Sequence, residues 1–224
     1  MNRVKLADRV LPTYSKGEEI LNMVSHIVGA SLGIIALVLC VIFSAIHNNV
    51  YGIIASPIYG VSLILLYTMS SIYHGLNSTG TAKKVFQIID HCSIFILIAG
   101  TYTPFALCTL RQYNSTIGWA LLGIVWALGI LGIVFNSIDL KKYKIFSMIC
   151  YLLMGWFIIF KINLLPTLLT MNGFILLLSG GIVYTLGAVL YIIGKKQKWM
   201  HSLFHISCII GSLLHFLCIL FYVI

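Results

Sequence analysis

Ionisable side chains are almost absent from long stretches of this 224-residue chain. That absence limits the fold more than any motif does. A helix that crosses a bilayer needs roughly 20 consecutive apolar residues, and the chain divides into seven such runs. They fall at 21–46, 52–75, 85–109, 117–136, 144–165, 173–194 and 199–224. Charged residues make up 8% of the chain, against about 25% in a soluble domain, so no water-facing surface could be built from them. The expected class is all-α: a polytopic membrane protein with seven transmembrane helices over 21–224, behind a polar tail at 1–20. In the fifth run Lys161 has to reach outward to water. The tail carries mixed charge and does not resemble a signal peptide; it is expected to lie on the membrane surface.

The basic residues orient the bundle. With seven spans, the N-terminus shares one side of the membrane with the second, fourth and sixth connections. That side holds Arg3, Lys5, Arg9, Lys16, Lys83, Lys84, Lys141, Lys142, Lys144, Lys195, Lys196 and Lys198, while the other holds only Arg111 and Lys161. Basic residues concentrate in cytoplasmic loops, so the N-terminus is expected in the cytoplasm and the C-terminus outside. The net charge of +9 therefore reports membrane topology, and no nucleic-acid partner is expected. Rhodopsin-like receptors and retinal proteins have the opposite orientation, and the seventh run has no lysine for a retinal Schiff base. All connections are short, so the helices themselves must carry any function. The six cysteines lie inside apolar runs, which reads as buried single thiols rather than a disulfide framework.

Ionisable groups within a bilayer are costly and need a reason. They are His26 in the first run, His74 in the second, Asp90 and His91 in the third, and His201, His205 and His215 in the seventh. Asp90 is the only acidic residue within the seven runs as drawn. Asp90 lies six residues past Lys84, about 9 Å along a helix, and His201 and His205 follow Lys198 by about 5 and 10 Å. With His26 and His74, groups from four helices share one thin layer inside the presumed cytoplasmic face.

His201 and His205 are spaced i, i+4 and share a helix face, a placement that suits two nitrogen ligands of one zinc ion. His74 is the best third ligand by depth. Three imidazoles with an open position for water form the usual catalytic zinc arrangement, leaving Asp90 as general base. Ser70, one turn from His74, could bond that water or orient a ligand. Such a histidine pair alone is a weak signal, and depth agreement is what strengthens it. His26 is expected to hydrogen-bond nearby backbone or side chains, and His91 to pack between helices or support a ligand. His215 is about 15 Å deeper than His205, too far to share its metal. Cys208 continues the stripe of His201 and His205 and could be a fourth ligand, although simple packing is favoured.

Four segments carry a family resemblance: "SHIVGA" at Ser25–Ala30, "SSIYH" at Ser70–His74, "DHCSIFILIAGTYTPF" at Asp90–Phe105, and "HSLFH" at His201–His205. The sequence resembles the hemolysin III family, the bacterial branch of the progestin and adiponectin receptor family, which is related to alkaline ceramidases. The resemblance implies seven helices with a cytoplasmic N-terminus, a zinc site on His74, His201 and His205, and Ser70 and Asp90 around the metal-bound water. It also implies hydrolysis of an acyl-amide or related membrane lipid in the cell membrane. A non-enzymatic, zinc-stabilised sensor or regulator of membrane lipid state is the alternative. A cytolytic role is a third, although no amphipathic segment here could line a wide pore. The expected partner is a membrane lipid, as substrate or ligand; the sequence points to no known protein partner and does not reveal the oligomeric state.

Overall fold

Seven helices among the described residues of the computed structural model are long and apolar enough to cross a membrane. They are α1 (Lys16–Ile46), α2 (Val50–Gly75), α3 (Thr81–Tyr113), α4 (Ser115–Asp139), α5 (Lys144–Lys161), α6 (Leu165–Ile193) and α7 (Met200–Tyr222). The structure describes residues 6, 8–77 and 80–224; Arg3 and Lys5, counted above for orientation, lie outside them. No strand occurs among the described residues. The chain is an all-α, multi-pass membrane protein.

Helix starts follow local chemistry. Asn49 caps α2 by accepting from the Gly52 N–H at 2.9 Å, and Asn114 caps α4 through the Ile117 N–H at 3.1 Å. Breaks are equally local. In α3, Pro104 is followed by a π-helical stretch, Phe105–Leu110, because proline has no N–H for the usual ladder. Regular helix in α5 ends at Gly155, and a 3-10 turn over Phe157–Lys161 brings Lys161 to an exposed position. α6 begins at Leu165 rather than near 173. Thr170 has left-handed backbone (φ 59°), so Leu165–Leu169 is a separate turn ahead of the long apolar helix that the sequence pattern detects.

The helices close into a bundle in which α1 packs on both α2 and α7, α2 on α3, α3 on α4, and α6 on α7. α3 is the central element: 78% of its most apolar stretch is buried, against 11% for α5. The outward faces stay apolar, as Val28, Ile35, Val38 and Ile42 show on α1, which suits lipid as the surrounding medium. Close packing needs glycine at one crossing in particular. A Cβ at Gly29 would fall 2.5 Å from the Tyr67 ring, so only glycine lets α1 approach α2 there.

α1 starts five residues before the apolar run does, which brings Glu18 and Glu19 into the helix. Ser15 and Glu18 form a reciprocal capping box. Glu18 is buried, and it also accepts the Trp199 N–H at 2.7 Å, just ahead of α7. Trp199 has φ 68°, and its N–H is one of the donors that a helix start leaves without an intrahelical partner. One carboxylate thus caps two helices and ties α1 to α7. Glu18→Ala should cost ~1–2 kcal/mol, by analogy with lost helix caps. Thermal unfolding in detergent should then fall by a few degrees, with Glu18→Gln, which keeps an acceptor, falling less.

Candidate metal centre

His74 sits in the last turn of α2, and His201 and His205 in the first turns of α7. All three are buried, and one ligand nitrogen from each lies within 4.8 Å of the others. The i, i+4 spacing on α7 puts the Nε2 atoms of His201 and His205 3.0 Å apart. The His74 ring centroid is 4.7 Å from that of His205 and 5.5 Å from that of His201. The sequence-derived trio therefore converges. Among the described residues it is the group able to hold a metal ion. At the α6–α7 turn the chain is so close that a Cβ on Gly194 would lie 2.8 Å from the backbone nitrogen of His201.

The test of fit is whether the ring nitrogens are free to bind. His74 Nδ1 lies 2.5 Å from Glu19 Oε2. A carboxylate only accepts, so the proton of a neutral His74 belongs on Nδ1 and Nε2 keeps its lone pair. That Nε2 is buried and has no hydrogen-bond partner. An unpartnered buried nitrogen costs about 1–3 kcal/mol, and a cation shared with His201 and His205 would satisfy it. Three imidazoles suit Zn²⁺ and other borderline divalent ions.

Sequence reasoning missed the groups behind the trio. Glu19 also accepts from Lys83 Nζ at 2.7 Å, and that ammonium is 2% exposed and donates to the Leu76 carbonyl as well. The apolar-run criterion placed Glu19 in the tail, so its position two turns ahead of His26 on a helix was not weighed. His26 does bond a side chain, but that partner is a candidate ligand: its Nε2 is 2.7 Å from His205 Nδ1. The tail, moreover, lies against the site. The Tyr14 ring stacks on His201 at 4.6 Å and 17°, and Arg9 donates to Gln87 of α3 at 2.9 Å. Burial, then the neighbouring Tyr73, Tyr191, Glu19 and Asp90, hold the Tyr14 phenol well above its ordinary range. Beside it, a cavity of about 340 Å³ is lined by Thr13, Tyr14, Ser15, Glu18 and the Lys195–Lys198 turn.

Asp90 is near this cluster but is not part of the trio. Its Oδ2 is 3.6 Å from His91 Nδ1, whose N–H donates to the Gln87 carbonyl at 2.9 Å. Ser70 is buried one turn from His74. Cys208 lies in the apolar core and outside the metal-competent group, as the packing reading expected. His215 donates to the Leu177 carbonyl at 3.1 Å and packs on Tyr184, away from the trio.

Fold and site together define a multi-pass membrane protein with a buried three-histidine group competent to bind metal at one end of its bundle. The chain belongs to the haemolysin-III-related family, whose model matches residues 14–216. It is 42% identical over 206 residues to hemolysin-3 of Bacillus cereus, covering 92% of each chain. It is also 42% identical over 205 residues to a hemolysin-3 homolog of Bacillus subtilis, covering 92% of this chain and 94% of that one. A more distant relative is the human monocyte to macrophage differentiation factor, 24% identical over 187 residues that cover 81% of this chain and 75% of that protein.

Purified protein should carry about one divalent metal ion per chain, read by elemental analysis. His74→Ala, His201→Ala and His205→Ala should each lose most of it. His215→Ala should retain it.

Proposed function

We propose that the chain is a zinc-dependent membrane hydrolase acting on an acyl-amide or related lipid. The observation that carries this reading is the unpartnered, buried Nε2 of His74 beside the facing Nε2 atoms of His201 and His205. These three nitrogens would hold the ion and leave room for water. Bound zinc would supply Lewis-acid polarisation of a carbonyl oxygen. Asp90 takes the proton of the attacking water as general base, and Ser70 orients water or substrate by its hydroxyl. Asp90 would then return that proton to the amine nitrogen as the C–N bond breaks, so that the amine leaves neutral. Enclosure by Tyr14 and the helix ends excludes bulk water and strengthens each electrostatic contact.

The site lies at the end of the bundle that carries the N-terminus, and the basic-residue bias puts that end in the cytoplasm. This depth suits a bond near the headgroup of an inner-leaflet lipid. A cysteine introduced at residue 224 should therefore react with an impermeant thiol reagent on intact cells, while one at residue 2 should not. Reversed labelling would move the site to the outer leaflet.

A second reading is a non-enzymatic regulator of membrane lipid state in which zinc clips α2 to α7. One observation favours it: Asp90 lies against His91, its Oδ2 3.6 Å from Nδ1, and not against a ligand histidine. Lipid analysis of cells making Asp90→Asn separates the two. The Asn side chain keeps the shape but cannot serve as a base at neutral pH, so hydrolysis should slow by roughly 10²–10⁴. Metal content and protein level should stay near wild type. A fully active, metal-loaded Asn form would leave the regulator reading.

A further inference from the structure

α1 supplies no ligand to the trio, yet two of its side chains bond the outward nitrogens of two ligands. Glu19 Oε2 is 2.5 Å from His74 Nδ1, and His26 Nε2 is 2.7 Å from His205 Nδ1. Seven residues separate Glu19 from His26, two helical turns, so both lie on one face of α1. The buried face of α1 also includes Asn22, which lies between them and places its Nδ2 3.4 Å from His74 Nδ1.

We infer that Glu19 and His26 are positioning residues that hold His74 and His205 in the Nδ1–H tautomer, so that both rings present an Nε2 lone pair to one cation. This rests on the metal-site reading above. For His74 the partner leaves one neutral arrangement: a carboxylate accepts, so Nδ1 donates. Lys83 occupies the other oxygen, Oε1, at 2.7 Å, which anchors the carboxylate without competing for Oε2. For His205 two arrangements are open. Either His26 donates from Nε2, which puts the His205 proton on Nε2 and aims it at the trio, or His26 accepts and bares that nitrogen. Only the second lets His205 bind metal through Nε2. It puts the proton on His26 Nδ1, an atom buried without a hydrogen-bond partner in either arrangement, so a cation at the trio is what selects the second. The His26 ring is also packed: its centroid is 4.0 Å from that of His205 and 4.9 Å from that of Tyr67.

Partners of this kind raise ligand basicity and fix ring orientation, and their loss typically weakens metal binding roughly 10–100-fold. The test uses full-length protein in detergent with Zn²⁺ as the probe, its dissociation constant read by competition with a chelator. His26→Leu, which has no acceptor, should bind zinc roughly 10–100-fold more weakly. His26→Gln, whose amide oxygen can reach the place of Nε2, should recover most of that loss. Glu19→Leu combined with Lys83→Met, so that no ammonium is stranded, should weaken binding to a similar degree. Wild-type affinity in His26→Leu, or a Gln form no better than the Leu form, would overturn the assignment for His26. Nitrogen-15 spectra of histidine-labelled wild type decide the matter even if a variant fails to fold. Zinc-loaded protein should show Nδ1–H and metal-bound Nε2 on His74 and His205; metal on either Nδ1 sinks the proposal. If wild type takes up no zinc, the metal reading fails separately. The metal-free spectrum still reports on Glu19: Nδ1–H on His74 supports its role, and Nε2–H refutes it.

Discussion

A carboxylate, an ammonium group and several imidazoles share the space between helix ends in this protein, with little water to solvate them. The cost of leaving any of these groups unpaired in a membrane protein organises that end of the molecule. Glu19 lies at the centre of this arrangement. It receives Lys83 from α3 on one oxygen and His74 from α2 on the other. Its neighbour Glu18 caps α1 and also holds the first amide of the α7 region. Two adjacent carboxylates therefore join four helices, and the histidines of α2 and α7 meet because those helices are joined. Removing either acid would disturb the trio without touching a ligand.

The lower half of the bundle follows another logic. It is held by packing of apolar and small residues, as where Gly29 admits the Tyr67 ring. Some of its polar groups pair across helices: the Tyr67 hydroxyl donates to the Cys208 carbonyl at 2.9 Å, and His215 donates to a carbonyl on α6. The stretch after Pro104 changes to π-helix where proline removes a donor. α3 crosses this region almost wholly enclosed, while α5 lies at the lipid boundary. An apolar, packed core thus lies beside a polar, partly covered end that holds the candidate metal centre.

Tyr14 and Arg9 give the polar tail a part in that chamber. Mixed charge led to an expectation that residues 1–20 rest on the membrane surface. In the structure Tyr14 stacks on a candidate ligand and Arg9 reaches α3. The aromatic ring covers His201, while the adjoining cavity with its lysine-rich rim remains open. Any ligand that enters from this side passes the tail.

How much could be read from the residues alone follows the range of each force. Seven spans were legible because burying about 20 apolar residues is a local property of the chain. His201 and His205 were legible as a pair because helical periodicity puts i and i+4 on one face, and depth alone added His74. The end of α5 and the start of α6 were not, since the positive-φ break at Thr170 and the break after Gly155 leave no mark in hydropathy. Glu19 and Lys83 were missed for a related reason, whereas His26 was placed in the polar layer but its partner was not identified. A hydropathy window assigns charged residues to the water, and only their partners on other helices explain why they stand behind the site. The sequence by itself determined the solvent, the number of helices and the ligand types, because those depend on composition and short-range period. Tertiary structure alone decided which nitrogens face one another and which residues stand behind them, because hydrogen bonds between α1, α2, α3 and α7 exist only once the helices have packed.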